Sequence, residues 1–159
     1  MDIVRLRVPA TLLYRDVVLR VVGSVCRLAR RELDSTQNTT DRVVDFEDKV
    51  VSAVSEAFNN VVMHAYGSAG GDADLELAVD GDRLVVRLLD TGRGFDLSLE
   101  AGQDLKLETL RESHMGLELI LACMDDVSYA RGSHGLPNVL TMTKSYFVPS
   151  SGAAPPKSP

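Results

Sequence analysis

With 159 residues and a mass of 17.3 kDa, the chain is long enough for one domain with a substantial core and too short for two of ordinary size. Its 45% hydrophobic and 25% charged residues exclude intrinsic disorder, and a formal net charge of −6 argues against nucleic acid or an anionic membrane surface as partner. No apolar run reaches the ~18 residues of a membrane span, and Met1 leads into alternating residues without a signal segment, so the expected location is the cytoplasm.

Asp2 to Val8 alternates as a strand does, and Pro9 closes it. From Thr11 to Glu32 the apolar residues Leu12, Leu13, Val17, Val18, Val21, Val22, Val25 and Leu28 recur at helical spacing, with Asp16, Arg20 and further arginines on the other face. Asp34 to Thr40 is loop chemistry, and Thr40 or Asp41 can cap a second helix running to about Tyr66. Gly67 to Asp72 ends that helix. Leu75, Leu77 and Val79, the turn Asp80-Gly81-Asp82 and the apolar run Leu84 to Leu89 form a hairpin. After an acidic stretch to Ser113 come a helix from about Met115 to Met124 and strands around Val127–Tyr129 and Val139–Phe147. Cys26 and Cys123 lie inside apolar helical patterns and read as buried, reduced thiols. The order predicts an α+β fold, a two-layer sandwich with helices on one face of a mostly antiparallel sheet. Residues 1–148 form the expected domain, and 149–159, with four prolines, the expected disordered tail.

Between Val50 and Ala65 the only residue charged at neutral pH is Glu56, so this helix must be covered on most sides. Glu56, Asn60 and His64 lie four apart, each about 6 Å further along the axis, and share one stripe. Asn59 and Asn60 are poor helix formers, so something other than propensity selects them. Either Glu56 and Asn60 cap loops and bond across the layer, or a carboxylate and an amide oxygen line one pocket, suited to proton abstraction and to a hard cation such as Mg2+.

In Leu88-Leu89-Asp90-Thr91-Gly92-Arg93-Gly94-Phe95 a carboxylate ends an apolar strand, its oxygens expected to aim out of the sheet end. Gly92 admits a flat ring close to the backbone, Gly94 lets the chain turn, and Asp90 suits an exocyclic amino group such as that of adenine. Leu-Leu-Asp-Thr-Gly also opens the catalytic loop of dimeric aspartic proteases. Against that reading, two long helices precede the motif and Arg93 follows the glycine. At Ser113-His114-Met115-Gly116 a helix begins, offering free N–H groups to a phosphate. A Gly-x-x-x-x-Gly-Lys-Ser/Thr loop is absent from the sequence, which excludes a P-loop nucleotidase.

Ser55-Glu56-Ala57-Phe58-Asn59-Asn60-Val61-Val62-Met63-His64-Ala65-Tyr66, Asp90-Thr91-Gly92-Arg93-Gly94-Phe95, and Met115-Gly116-Leu117 with Met124-Asp125-Asp126-Val127 together resemble the three ATP-site boxes of the GHKL (Bergerat-fold) superfamily, and most of all bacterial anti-sigma-factor serine kinases. The resemblance spans residues 3 to 147. It implies ATP and Mg2+ as cofactors, with Asn60 holding Mg2+, Asp90 accepting from adenine, Gly92 and Gly94 framing the base, and Arg111, Ser113, Met115 and Gly116 at the phosphates. Glu56 is then the general base toward a serine or threonine hydroxyl of a STAS-type anti-anti-sigma factor. A sigma factor is the second client, the functional unit is a homodimer, and Asp16 and Arg20 lie in the region used for partners. A non-catalytic partner-switching module of the same fold is the alternative.

Related kinases close the lid with Arg-Ser-Gly-x-Gly, whereas this chain reads Arg111-Glu112-Ser113-His114-Met115-Gly116, with Glu112 where the arginine is expected. From Asp96 to Glu112 five acids face two basic residues. That field is expected to weaken nucleotide affinity and to serve a protein partner instead.

Overall fold

The computed structural model describes residues 3–33, 40–94 and 112–146, with side chains described over 3–29, 45–94 and 116–146. The expected tail, the acidic stretch from residue 96 to residue 111, Arg111 itself and the side chains of Glu112, Ser113, His114 and Met115 lie outside the described residues.

Five strands form one sheet in the order β1-β2-β3-β5-β4, every neighbouring pair antiparallel. They are β1 (Ile3–Pro9), β2 (Asp72–Asp80), β3 (Arg83–Asp90), β4 (Asp126–Ala130) and β5 (Asn138–Ser145). Pro9 is the last residue of β1, an edge strand, where a missing N–H is tolerated. Leu75, Leu77, Leu84, Val86, Leu88, Leu140 and Met142 occupy alternate positions and are buried against the helices. The opposite face carries Arg5, whose Nε donates to Glu76 at 3.0 Å, and Arg87, whose Nη1 donates to the other Glu76 oxygen at 3.1 Å. Arg7 forks onto Asp74 at 2.6 and 2.7 Å. Helices back one face, and cross-strand ion pairs line the other.

Three helices supply the second layer: α1 (Arg15–Leu33), α2 (Thr40–Asn60) and α3 (Glu112–Cys123). The first of them starts later than its apolar pattern implies, because Leu12–Tyr14 forms a separate 3-10 turn after the extended Thr11. Val18, Val22, Val25, Cys26 and Ala29 make the buried stripe of α1, while Leu13, Val17 and Leu28 remain exposed. Apolar spacing located the helix; it did not separate the buried stripe from apolar residues left facing water. Both cysteines are free and buried. Burial, assisted by nearby Glu47, pushes the Cys26 thiol up to about 12, so it acts as a small core residue and not as a nucleophile.

The β4 edge is tied down by Asp125. Burial opposes its ionisation, but the Lys144 ammonium, bonded to Oδ1, and the Ser145 N–H, 2.7 Å from Oδ2, hold it below the ordinary carboxylate value. A lowered carboxylate contributes stability above that range and loses it as pH falls. Asp125→Asn is therefore expected to destabilise the fold at pH 7 by at most about 1 kcal/mol, given the half-exposed carboxylate. Denaturant titrations of both proteins should show that gap narrowing as the pH drops toward about 3.

Candidate active site

No residue from Val50 to Val62 is fully exposed, as expected for a helix with one charge on that stretch. Val50, Val54, Ala57, Phe58 and Val61 are sealed in the core, and Glu56 and Asn60 stand half-buried on a neighbouring face. Gly116, buried in α3, lies over that face. A Cβ built on Gly116 would sit 3.1 Å from Glu56 Oε2 and 3.7 Å from both amide atoms of Asn60. The structure therefore brings Glu56, Asn60 and Gly116 together, and a Cβ on Gly116 would crowd only the Glu56 carboxylate, the movable end of its side chain.

Two sequence expectations change here. The third helix starts at Glu112, three residues before the expected Met115, so Gly116 lies in its second turn and its N–H belongs to the helix ladder. Its contribution is close approach to Glu56, and the N–H groups without an acceptor inside the helix are those of residues 112–115. His64 also leaves the stripe. Val61–Ala65 is a π-helical turn, whose wider hydrogen-bonding loop breaks the four-residue register after Asn60 and leaves His64 exposed.

That π turn joins α2 to the glycine loop. Ala65 O accepts from Arg93 N at 2.8 Å, and a Cβ on Gly92 would fall 2.2 Å from the same oxygen. Tyr66 completes the seam: its hydroxyl donates to Asp72 O and accepts from Thr91 N at 2.9 Å, and its ring fills the space where Gly71 has no side chain. Gly94 adopts φ +73 beside Tyr129 and Asn138.

Asp90 corrects the expectation that its oxygens aim out of the sheet end. It continues the buried parity of Leu84, Val86 and Leu88, so the carboxylate turns beneath the helical layer and is 4% exposed. Oδ1 accepts from Gly92 N at 2.8 Å and from Asn138 Nδ2 at 2.9 Å. Among the described residues no donor falls on Oδ2, which leaves that oxygen for a ligand. Both Asn138 and Tyr66 were missed as site residues by sequence reasoning. Pro137-Asn138 reads as turn chemistry and Tyr66 as a helix end; register alone reveals the first.

Asp16 and Arg20 form an exposed i, i+4 ion pair at 3.0 Å on α1. Arg20 also lines a hollow of about 520 Å³ between α1 and α2, bounded by Leu19, Gly23, Arg27, Glu47 and Val51. Arg15, at the start of α1, donates to the buried hydroxyl of Ser55, a cross-helix contact no local pattern announces.

A buried carboxylate at the end of a strand, a glycine loop packed on a helix end, and a Glu-x-x-x-Asn face under a third helix all sit on an antiparallel sheet backed by helices. Residues 8–144 match the family described as the histidine kinase-like ATPase domain, and the chain belongs to that family. Its curated relatives include the serine-protein kinase RsbW of Listeria monocytogenes serotype 4a, 40% identical over 84 residues, which are 47% of this chain and 52% of that one. RsbW of Oceanobacillus iheyensis is 32% identical over 133 residues, 79% of this chain and 77% of the relative. RsbW of Staphylococcus epidermidis is 28% identical over 159 residues, 95% and 93% of the two. Against the Listeria protein, the chain spans about half of the relative's length. ATP is the nucleotide that membership of this family implies. The aspartic-protease reading of Asp90-Thr91-Gly92 falls with this assignment, since that fold is almost entirely β and this one backs its sheet with helices.

Proposed function

We propose that this chain is an ATP-dependent serine/threonine protein kinase that also acts as an anti-sigma factor, phosphorylating a STAS-type anti-anti-sigma factor in the cytoplasm. The observation that carries the reading is the convergence of Glu56, Asn60 and Gly116 on one face between α2 and α3. Asp90 Oδ2 accepts from the adenine amino group; the space that Gly92 and Gly94 leave is taken by Ala65, Tyr129 and Asn138, so these glycines seat the loop behind Asp90 and do not open room for the base. The backbone N–H groups at the start of α3 are the proposed phosphate contact, and the roles expected of Arg111, Ser113 and Met115 fall outside the described residues. Glu56 takes the proton from the partner's hydroxyl as its oxygen attacks the γ-phosphorus and the bond to the β-phosphate oxygen breaks.

The donor set fits Mg2+, which prefers oxygen and keeps most of its remaining sites for phosphate and water, so one amide oxygen from Asn60 suffices. When bound, the ion neutralises phosphate charge. Asn60→Ala is expected to weaken ATP binding about tenfold with Mg2+ and to leave affinity in EDTA unchanged, read by calorimetric titration in both buffers. An equal loss in both buffers removes Asn60 from the metal site.

Residues 1–148 act in this reading as one ATPase domain, with 149–159 outside it, and the working unit is a homodimer. Asp16 and Arg20, exposed on α1 with Arg20 also at the hollow beside it, are the proposed contact for the anti-anti-sigma and sigma factors. Incubation with labelled ATP, Mg2+ and a STAS-type anti-anti-sigma factor from the same organism tests the whole reading. Phosphoserine or phosphothreonine on the partner supports the kinase, and complex formation without transfer supports a non-catalytic partner-switching module.

A further inference from the structure

Antiparallel register places Asn138, the first residue of β5, directly opposite Asp90 on the same buried face. Its amide is 3% exposed and engaged on both sides. Nδ2 donates to Asp90 Oδ1 at 2.9 Å and to Gly92 O at 3.1 Å, while Oδ1 accepts from Gly132 N at 2.9 Å. Two acceptors on one side and a donor on the other fix which amide atom is nitrogen. One side chain thus joins the carboxylate, the glycine loop and the β4–β5 turn. Arg131 Nη2, donating to Arg93 O at 3.1 Å, fastens the same turn to the loop a second time.

We propose that Asn138 is a positioning residue that sets the purine preference of the site. This inference rests on the ATP-binding reading given above. With Asn138 and Gly92 both donating to Oδ1, the carboxylate cannot rotate freely, and Oδ2 is presented as an acceptor in one direction. A 6-amino purine offers an N–H to that oxygen. A 6-oxo purine sets a carbonyl oxygen against it, and two acceptors face each other unpaired. Without the amide the carboxylate can turn away, which forfeits the adenine contact and relieves the clash with the oxo group.

The test is calorimetric binding of Mg2+-ATP and Mg2+-ITP to the full-length wild type, Asn138→Ala and Asn138→Ser, with thermal unfolding run in parallel. The wild type should prefer ATP by at least about tenfold. Asn138→Ala should weaken ATP about tenfold and leave ITP within about twofold, so the preference collapses. Asn138→Ser, which keeps one short donor, should fall between and carries the same test if the alanine variant does not fold. Equal loss of both nucleotides, or an undiminished ATP preference, overturns the positioning role while leaving the ATP site intact. A wild type that binds neither nucleotide, or does not distinguish them, overturns the ATP reading and this proposal with it.

Discussion

Glu56→Ala is expected to lower phosphoryl transfer to the partner by about 10²–10⁴-fold while leaving Mg2+-ATP affinity within about twofold. The size follows from the loss of a positioned general base in a reaction whose remaining requirements are alignment and charge neutralisation. The selectivity follows from placement. Glu56 stands one helical turn before Asn60, beneath Gly116, and Asp90, the proposed adenine acceptor, is held separately by Asn138 and Gly92. Glu56→Gln, which keeps shape and packing against α3, should be impaired nearly as much if basicity is what counts. Initial rates with labelled ATP, set beside calorimetric affinities, decide the matter. A variant that loses ATP binding along with activity assigns Glu56 to the nucleotide and not to the proton.

Gly92→Ala should destabilise the fold by about 1–3 kcal/mol and weaken ATP by tenfold or more. Its Cβ would fall 2.2 Å from Ala65 O and 2.7 Å from Ala65 Cβ, and the first of these is backbone with no rotamer to yield. The loop must therefore lift off the π turn, breaking the Arg93 N to Ala65 O bond and disturbing both donors on Asp90 Oδ1. Gly135→Ala is the contrast. It has φ +85 and open space around it, so only backbone strain of about 1 kcal/mol is incurred, and nucleotide affinity should stand. Equal behaviour of the two variants in titration and denaturation would show that the seam between loop and helix is slack.

The fold was legible because its signals are local. Alternation in the hairpin and the sparse charge of α2 each report burial without knowledge of a partner element. Glu56, Asn60, Asp90, Gly92 and Gly116 were legible as types in a spacing, yet what each touches was not. Asp90 faces the core side because of strand parity, a fact fixed only once the first residue of β3 is known. The π turn inserts its register change among Val61, Val62, Met63, His64 and Ala65, whose identities suit an ordinary α-helix equally well. Asn138 lies 48 positions from Asp90 in the chain, and Arg15 lies 40 from Ser55. Contacts at such separations are set by sheet order and helix packing, which no periodicity encodes.

The face of the sheet away from the helices has a colloidal meaning. Arg5, Glu76 and Arg87 run as an alternating-sign row across three strands, and Arg7 with Asp74 repeats the motif one step along. Such pairs add little to folding, but stacking that face against another sheet would strip water from every one of them. The row therefore acts as a brake on fibril-like growth. Because added electrolyte weakens charge effects between exposed groups, storage in concentrated salt is the condition in which this brake is released first.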